Sequence, residues 1–217
     1  MGRFFFFSDN FAASKSIMST NDNTILGLRL PSDPRWVNLA AISMEEILTD
    51  HAFCEQKAAT QFISIIQRYS AMPGVVAALS PVVTEEWGHF RMVFAELQKR
   101  GYTLGKQRKD EYVNGLLLHK PKDLRPEEKL LHELLICAMI EARSCERFRI
   151  LSEHLEEESL RKFYTKFMIS EAGHYRMFID LASQYYPEEK VRKEWQYWLD
   201  AEIKVFENLV PRGDRLH

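Results

Sequence analysis

The sequence predicts an all-α fold: a four-helix bundle built from two helical hairpins, with an additional helix towards the C-terminal end. Three observations carry this expectation. Apolar residues recur at helical rather than alternating spacing through most of the chain. Only nine glycines and eight prolines are spread over 217 residues, too few for the many tight turns of an all-β chain. The two sharpest breaks, Met72-Pro73-Gly74 and Glu156-Glu157-Glu158, each divide a long periodic stretch in two, where a hairpin bend belongs.

Taken in order, residues 1–24 read as a flexible leader, with Met18 as an alternative start. Arg3 and the run Phe4 to Phe7 are too short to make a signal peptide, because Ser8, Asp9 and Asn10 end the apolar stretch. Residues 25–217 read as a single domain. Pro31, Ser32, Asp33 and Pro34 form a turn and a helix start. The first long helix is expected from about Ser43 to Ser70, with apolar residues at 44, 48, 52, 59, 62, 66 and 69. A second runs from about Val75 to Arg100 and ends at Gly101. From Tyr102 to Arg125 the pattern is broken and basic. Pro126 opens the third helix in its first turn and carries it to about His154. The fourth spans about Ser159 to Tyr185, and Pro187 begins a fifth that ends near Leu209.

Composition narrows the function. Hydrophobic residues make up 46% and charged residues 28%, a globular balance. A net charge of −2 argues against a strongly basic nucleic-acid coat protein, although not against a local basic patch. No apolar run reaches 18 residues, so no membrane-spanning helix is expected. Cys54, Cys137 and Cys145 are odd in number and form no C-x-x-C pair, which disfavours a disulfide framework or a zinc ribbon and fits a reduced, cytoplasmic setting.

The informative residues are charged ones on apolar faces. On the second helix the inward stripe reads Leu79, Val82, Val83, Glu86, His89, Phe90, Val93, Leu97. On the fourth it reads Phe163, Tyr164, Phe167, Met168, Glu171, His174, Tyr175, Phe178. Each stripe is interrupted by Glu-x-x-His, a spacing that puts both side chains on one face. Carboxylate oxygen with imidazole nitrogen suits iron or manganese. The first helix adds Glu55 to the face of Leu48, Ala52, Ala59 and Phe62, and the third adds Glu141 to that of Leu134, Ala138, Cys145 and Phe148. Glu55 precedes Glu86 by 31 residues and Glu141 precedes Glu171 by 30. With each bend near the midpoint, Glu and Glu-x-x-His meet at one height, the arrangement of ferritin-like dinuclear carboxylate bundles. An unpaired buried carboxylate costs several kcal/mol, and four facing one another would repel; two dications cancel that charge. The predicted metal ligands are therefore Glu55, Glu86, His89, Glu141, Glu171 and His174.

Lesser candidates surround this set. Glu146 rivals Glu141, because Cys145-Glu146 echoes Cys54-Glu55; its own face, with Arg149 and Glu153, reads as solvent-facing. His51, four residues before Glu55, is a candidate to support that ligand or add to the set, as is Glu146. Cys54 and Cys145 read as packing residues, and Tyr164 and Tyr175 as aromatic filling. Arg143 and Arg147 are expected to pair with surrounding acids. Lys99, Arg100, Lys106, Arg108 and Lys109 form a basic segment without an acid, followed by Lys120, Lys122 and Arg125; it is a solvated loop, or a phosphate-binding one if the substrate is a polyanion.

The stretches Asp50-His-Ala-Phe-Cys-Glu-Gln-Lys-Ala-Ala59, Glu85-Glu-Trp-Gly-His89, Ile140-Glu-Ala-Arg-Ser-Cys-Glu-Arg-Phe148 and Ser170-Glu-Ala-Gly-His-Tyr175 resemble the tRNA-(2-methylthio-N6-isopentenyladenosine) hydroxylases. The likeness runs from about Leu26 to the closing Asp214-Arg-Leu-His217. It implies a non-haem di-iron monooxygenase that hydroxylates the isopentenyl group of a hypermodified adenosine next to the tRNA anticodon. It also implies two iron ions, dioxygen, an external electron donor of reductase or ferredoxin type, and tRNA as partner, with the basic segment on its phosphates. Two other readings share the bundle: a rubrerythrin- or ferritin-like peroxide-reducing or iron-handling protein, and a metal-free helical interaction protein.

Overall fold

A computed structural model describes residues 25–217; the expected leader, 1–24, lies outside the described residues. Seven helices follow one another: α1 (Trp36–Ile42), α2 (Met44–Arg68), α3 (Pro73–Lys99), α4 (Glu111–Leu118), α5 (Pro126–His154), α6 (Glu158–Tyr185) and α7 (Glu188–Glu207). No strand occurs among the described residues. α2 pairs with α3 and α5 with α6 as the two expected hairpins; α7 lies along α5, and α4 rests on α7. None of these helices is long and apolar enough to cross a membrane.

Local chemistry sets the boundaries. Pro73 and Gly74 do not merely stop the first helix; they are the first residues of α3, because a proline in the first turn loses no helical hydrogen bond. α3 closes at Gly101, whose φ of 72° is left-handed. There Tyr102 N donates to Leu97 O and Gly101 N to Gln98 O, the paired bonds that satisfy a helix's last carbonyls. At the other bend, α5 ends at His154 and α6 starts at Glu158.

The segment expected to be broken, 102–125, contains α4. Asp110 caps it by accepting from Val113 N at 2.9 Å, while Tyr112 and Leu116 bury its inner face. Gly115 permits the contact with α7, since a Cβ there would stand 2.6 Å from Val205.

Two apolar clusters fill the bundle. One holds Phe62, Leu79, Leu134, Phe178 and Trp198; the other holds Trp36, Leu48, Val93, Phe148, Tyr164 and Phe167. Along α2, α3 and α6 the candidate ligands fall between the two, and on α5 Glu141 lies at the end of the first. The bundle therefore carries one polar layer between two apolar ones.

Candidate metal centre

Each of the four long helices delivers its acid to that layer. Glu55, Glu86, Glu141 and Glu171 are all buried, as are His89 and His174. They converge as two overlapping groups, Glu55 with Glu86, His89 and Glu171, and Glu86 with Glu141, Glu171 and His174, each with its donor atoms within 4.8 Å of one another. Glu86 and Glu171 belong to both groups. The geometry is thus two adjacent pockets sharing two carboxylates, with Glu55 and His89 on one side and Glu141 and His174 on the other.

Both imidazoles present Nδ1 to the carboxylates. His89 Nδ1 lies 3.4 Å from Glu55 and 3.5 Å from Glu86. His174 Nδ1 lies 2.8 Å from Glu86 and 3.4 Å from Glu171. These approaches are close without being hydrogen bonds: Glu86 Oε1, Glu171 Oε1 and both Nδ1 atoms are buried with no hydrogen-bond partner. Buried polar atoms left so cost free energy unless something else satisfies them. Their types and their convergence fit a pair of cations.

The charge balance makes the same point. Burial, and next the charge of Glu86, push the Glu55 carboxyl well above the usual range. Burial and the neighbouring Glu171 do the same to Glu141. Burial opposes charge on the imidazoles, but the adjacent Glu55 and Glu86 carboxylates lift His89 to about 10, and Glu171 and Glu86 lift His174 to about 11. Without a cation, the layer would have to hold protons on acids and imidazoles alike. Two dications would displace those protons and leave the ligands in their binding forms.

Glu85 is a residue that the helical pattern passed over. Its carboxylate accepts from Ser170 Oγ at 2.6 Å and lies on the far side of both imidazoles, 3.3 Å from His174 Nε2 and 3.9 Å from His89 Nε2, near each without a hydrogen bond to either. A carboxylate behind a ligating imidazole fixes its tautomer and ring orientation. The available signal was the doublet Glu85-Glu86, which puts Glu85 four residues before His89. Half exposed, Glu85 resembled any solvated helix acid.

His51 is wholly buried and stands 2.7 Å from Glu55 Oε1 through Nε2. Its ring is enclosed by Phe148, Tyr164 and Phe167, and burial holds its pKa well below the ordinary value, so it meets Glu55 as a neutral ring. Tyr164 thus lines the chamber behind Glu55, whereas Tyr175 packs on Trp195.

Glu146 requires a correction. It does not face solvent; it is fully buried and bound elsewhere. Its oxygens accept from Ser32 N at 2.8 Å, Ser32 Oγ at 2.5 Å and Arg143 at 3.1 Å. Arg143, also fully buried, donates to Glu202 and to Leu30 O. The 30–32 segment and α7 cover this face, which the period of α5 alone did not reveal. Arg143 pairs with acids as expected, but Arg147 does not: its guanidinium stacks 4.2 Å above Trp36, and burial pulls its pKa down to about 10.

The basic segment is less free than it read. Arg100 is bound by Glu96 and Glu157, Lys99 by Glu96, and Arg108 by Glu46 and Asp214. Lys106 and Lys109 are exposed.

A cavity of about 660 Å³ opens on the carboxylate layer. Glu55, Glu86, Glu141 and Glu171 lie at its buried end; Phe62, Ile136 and Ile140 supply apolar wall; Gln56, Lys57, Gln61, Gln107, Asn114 and Lys120 line it further out. Cys54, Asp110 and His217 form a further donor group on its wall.

The sequence and the fold both have known relatives. Residues 20–217 match the family model described as tRNA-(MS[2]IO[6]A)-hydroxylase (MiaE). The tRNA 2-(methylsulfanyl)-N(6)-isopentenyladenosine(37) hydroxylase of Pseudomonas putida is 33% identical over 185 residues, covering 83% of this chain and 87% of that one. The Salmonella typhimurium protein of the same name is 30% identical, covering 72% of this chain and 75% of that one. A solved structure titled "Protein 43 with aldehyde deformylating oxygenase activity from Synechococcus" superposes with a TM-score of 0.82 at 34% identity, over 88% of this chain and 94% of that one.

Proposed function

The chain belongs to the tRNA-(MS[2]IO[6]A)-hydroxylase (MiaE) family, and from that premise we propose that it hydroxylates the isopentenyl group of 2-(methylsulfanyl)-N6-isopentenyladenosine in tRNA at a di-iron centre. In this reading Glu55, Glu86, His89, Glu141, Glu171 and His174 would hold the ions, and Glu86 and Glu171 are the two that belong to both donor groups. The observation that carries it is the pair of overlapping carboxylate–histidine groups at the buried end of an open cavity. Nitrogen and oxygen donors without thiolate suit iron. When bound, the two irons supply dioxygen activation with two electrons from an external donor, chemistry beyond any side chain alone.

The chain's own residues do the rest. Glu85 puts a negative charge behind both imidazoles, nearer to His174, and His51 steadies Glu55. Phe148, Tyr164 and Phe167 seal the layer against water on one side. Phe62, Ile136 and Ile140 offer the prenyl group an apolar wall, while the polar outer lining suits a base and ribose. That lining disfavours a long aliphatic aldehyde as substrate, which would leave those polar groups unpaired. The nucleotide must leave the anticodon stack to enter. In this reading the exposed Lys106 and Lys109 would meet backbone phosphates; Lys57 and Lys120, nearer the cavity, pair with Asp110 and Glu133, and Lys99, Arg100 and Arg108 are likewise committed to acids. Three free cysteines and a tRNA substrate fit a reducing cytoplasm.

The test is reconstitution. The protein loaded with ferrous iron, given a reductant and dioxygen, is expected to hydroxylate an anticodon stem–loop carrying the modified base, read by nucleoside mass spectrometry. Iron-loaded protein that leaves that base unchanged but turns over peroxide would instead support the rubrerythrin-like reading.

A further inference from the structure

The closing segment of the chain turns back into the cavity and is pinned there. Trp36 Nε1 donates to Arg212 O at 2.9 Å, Arg108 Nη1 to Asp214 O at 3.0 Å, and Leu216 N to Asp50 Oδ2 at 2.9 Å. The Leu216 side chain is wholly buried. These contacts leave His217 as a fixed part of the cavity wall. Its Nε2 lies 2.9 Å from Ser144 Oγ, and its ring 5.1 Å from that of Tyr112. Its Nδ1 is buried and has no partner.

Two ligand classes suit that nitrogen: a cation shared with Cys54 and Asp110, or a polar group of a substrate. The surroundings favour the second. Asp110 Oδ1 is occupied by Val113 N, and Oδ2 pairs with the Lys57 ammonium at 3.3 Å, so a positive charge already fills the place a cation would take. Burial keeps the His217 imidazole neutral. A neutral imidazole donates at one nitrogen and accepts at the other, which matches a neutral heterocycle.

We propose that His217 is a positioning residue that hydrogen-bonds the adenine base through Nδ1 and so sets how far the prenyl chain reaches towards the carboxylate layer. The inference rests on the hydroxylase reading above. Its further support is spacing. Ser144, which holds His217, follows Glu141 by three residues on α5, so the side chain that fixes His217 comes from the same helix about one turn beyond a candidate ligand. The prenyl chain runs four bonds from N6 to its terminal carbon, also about 5 Å at ordinary bond lengths. A base held at His217 on the cavity wall has the layer at the buried end of the same cavity, with a prenyl chain of that length to extend towards it.

The experiment compares the iron-loaded parent with His217→Ala and His217→Asn, the latter placing an amide near the Nδ1 position. The substrate is the modified stem–loop, and the readouts are hydroxylated nucleoside formed per dioxygen consumed, kcat and KM separately, iron content and helicity. Loss of one neutral hydrogen bond predicts a drop of roughly 2- to 10-fold in product per dioxygen for His217→Ala. Partial recovery is expected in His217→Asn, with iron and helicity unchanged in both. Equal coupling in parent and Ala variant overturns the proposal while leaving the hydroxylase reading intact. Loss of iron or helicity in both variants also overturns it, because His217 would then be an anchor of the fold. A parent that does not hydroxylate the substrate fails the function itself, and the positioning role falls with it.

Discussion

Glu86 and Glu171 differ from the other four candidate ligands in belonging to both donor groups, and removal of either is expected to empty both pockets. Metal analysis of Glu86→Ala and Glu171→Ala should find well under half of the parent's iron. Retention of about one ion per chain would mean that the carboxylate is not shared. Glu85 predicts a subtler effect. Its charge stands behind both imidazoles and would orient them as ligands, so Glu85→Gln should weaken metal binding by about 10- to 100-fold, measured by competition with a chelator, while helicity stays unchanged. Convergence of the six candidates was legible because acids on an apolar stripe are costly and therefore conspicuous. Glu85 was not, because its role depends on a second helix bringing His174 to it. His217 was equally silent: nothing in Asp214-Arg-Leu-His217 indicates that it returns to a cavity formed by α2, α4 and α5.

At the scale of the helix, α5 carries two acids five positions apart that serve opposite faces. Glu141 faces the cavity and the other acids; Glu146 faces Ser32 and Arg143. Glu141→Gln should therefore lower iron content at little cost to folding. Glu146→Gln should leave iron in place and lower the urea midpoint, since it weakens a buried ionic network. Arg143→Met is the stronger version. It strands Glu146 and Glu202 without their cation and should cost roughly 3–5 kcal/mol. The sequence period located the long helices to within a few residues, as the burial of their stripes required. It missed α4, an eight-residue helix stabilised by its Asp110 cap and by packing on α7 rather than by any run of its own. It also left Glu146 on the wrong surface, because a helix whose whole circumference is covered has no solvent face to be read from its pattern. α5 buries 19 of its 29 residues, and much of that cover comes from α7 and the 30–32 segment.

Over the whole molecule, a polar layer between two apolar clusters would tie stability to any cation it binds, and it leaves the outer surface to meet the polyanion. An ion present at about 100 times its dissociation constant adds about 2.7 kcal/mol. In a chain of this size that amounts to roughly 5–10 °C in melting temperature, so removal of iron should lower Tm by at least that amount. Binding of tRNA is governed by different residues. With a net charge of −2, affinity for phosphate must come from local cations not already neutralised by neighbours. Lys106 and Lys109 meet that condition at the loop leading into α4, whereas Lys99 is held by Glu96 at the far end of α3. Reversal of Lys106 and Lys109 to Glu should weaken stem–loop binding and reduce its log–log salt slope by about 0.7 for each phosphate that is no longer neutralised. Lys99→Glu should change the slope little, and neither variant should alter iron content. Because phosphate contacts position the strand without reading the base, the Lys106/Lys109 variant should lose affinity equally for modified and unmodified stem–loops. If only the modified stem–loop bound more weakly, these lysines would be acting on the base, and the phosphate path would have to lie on another face.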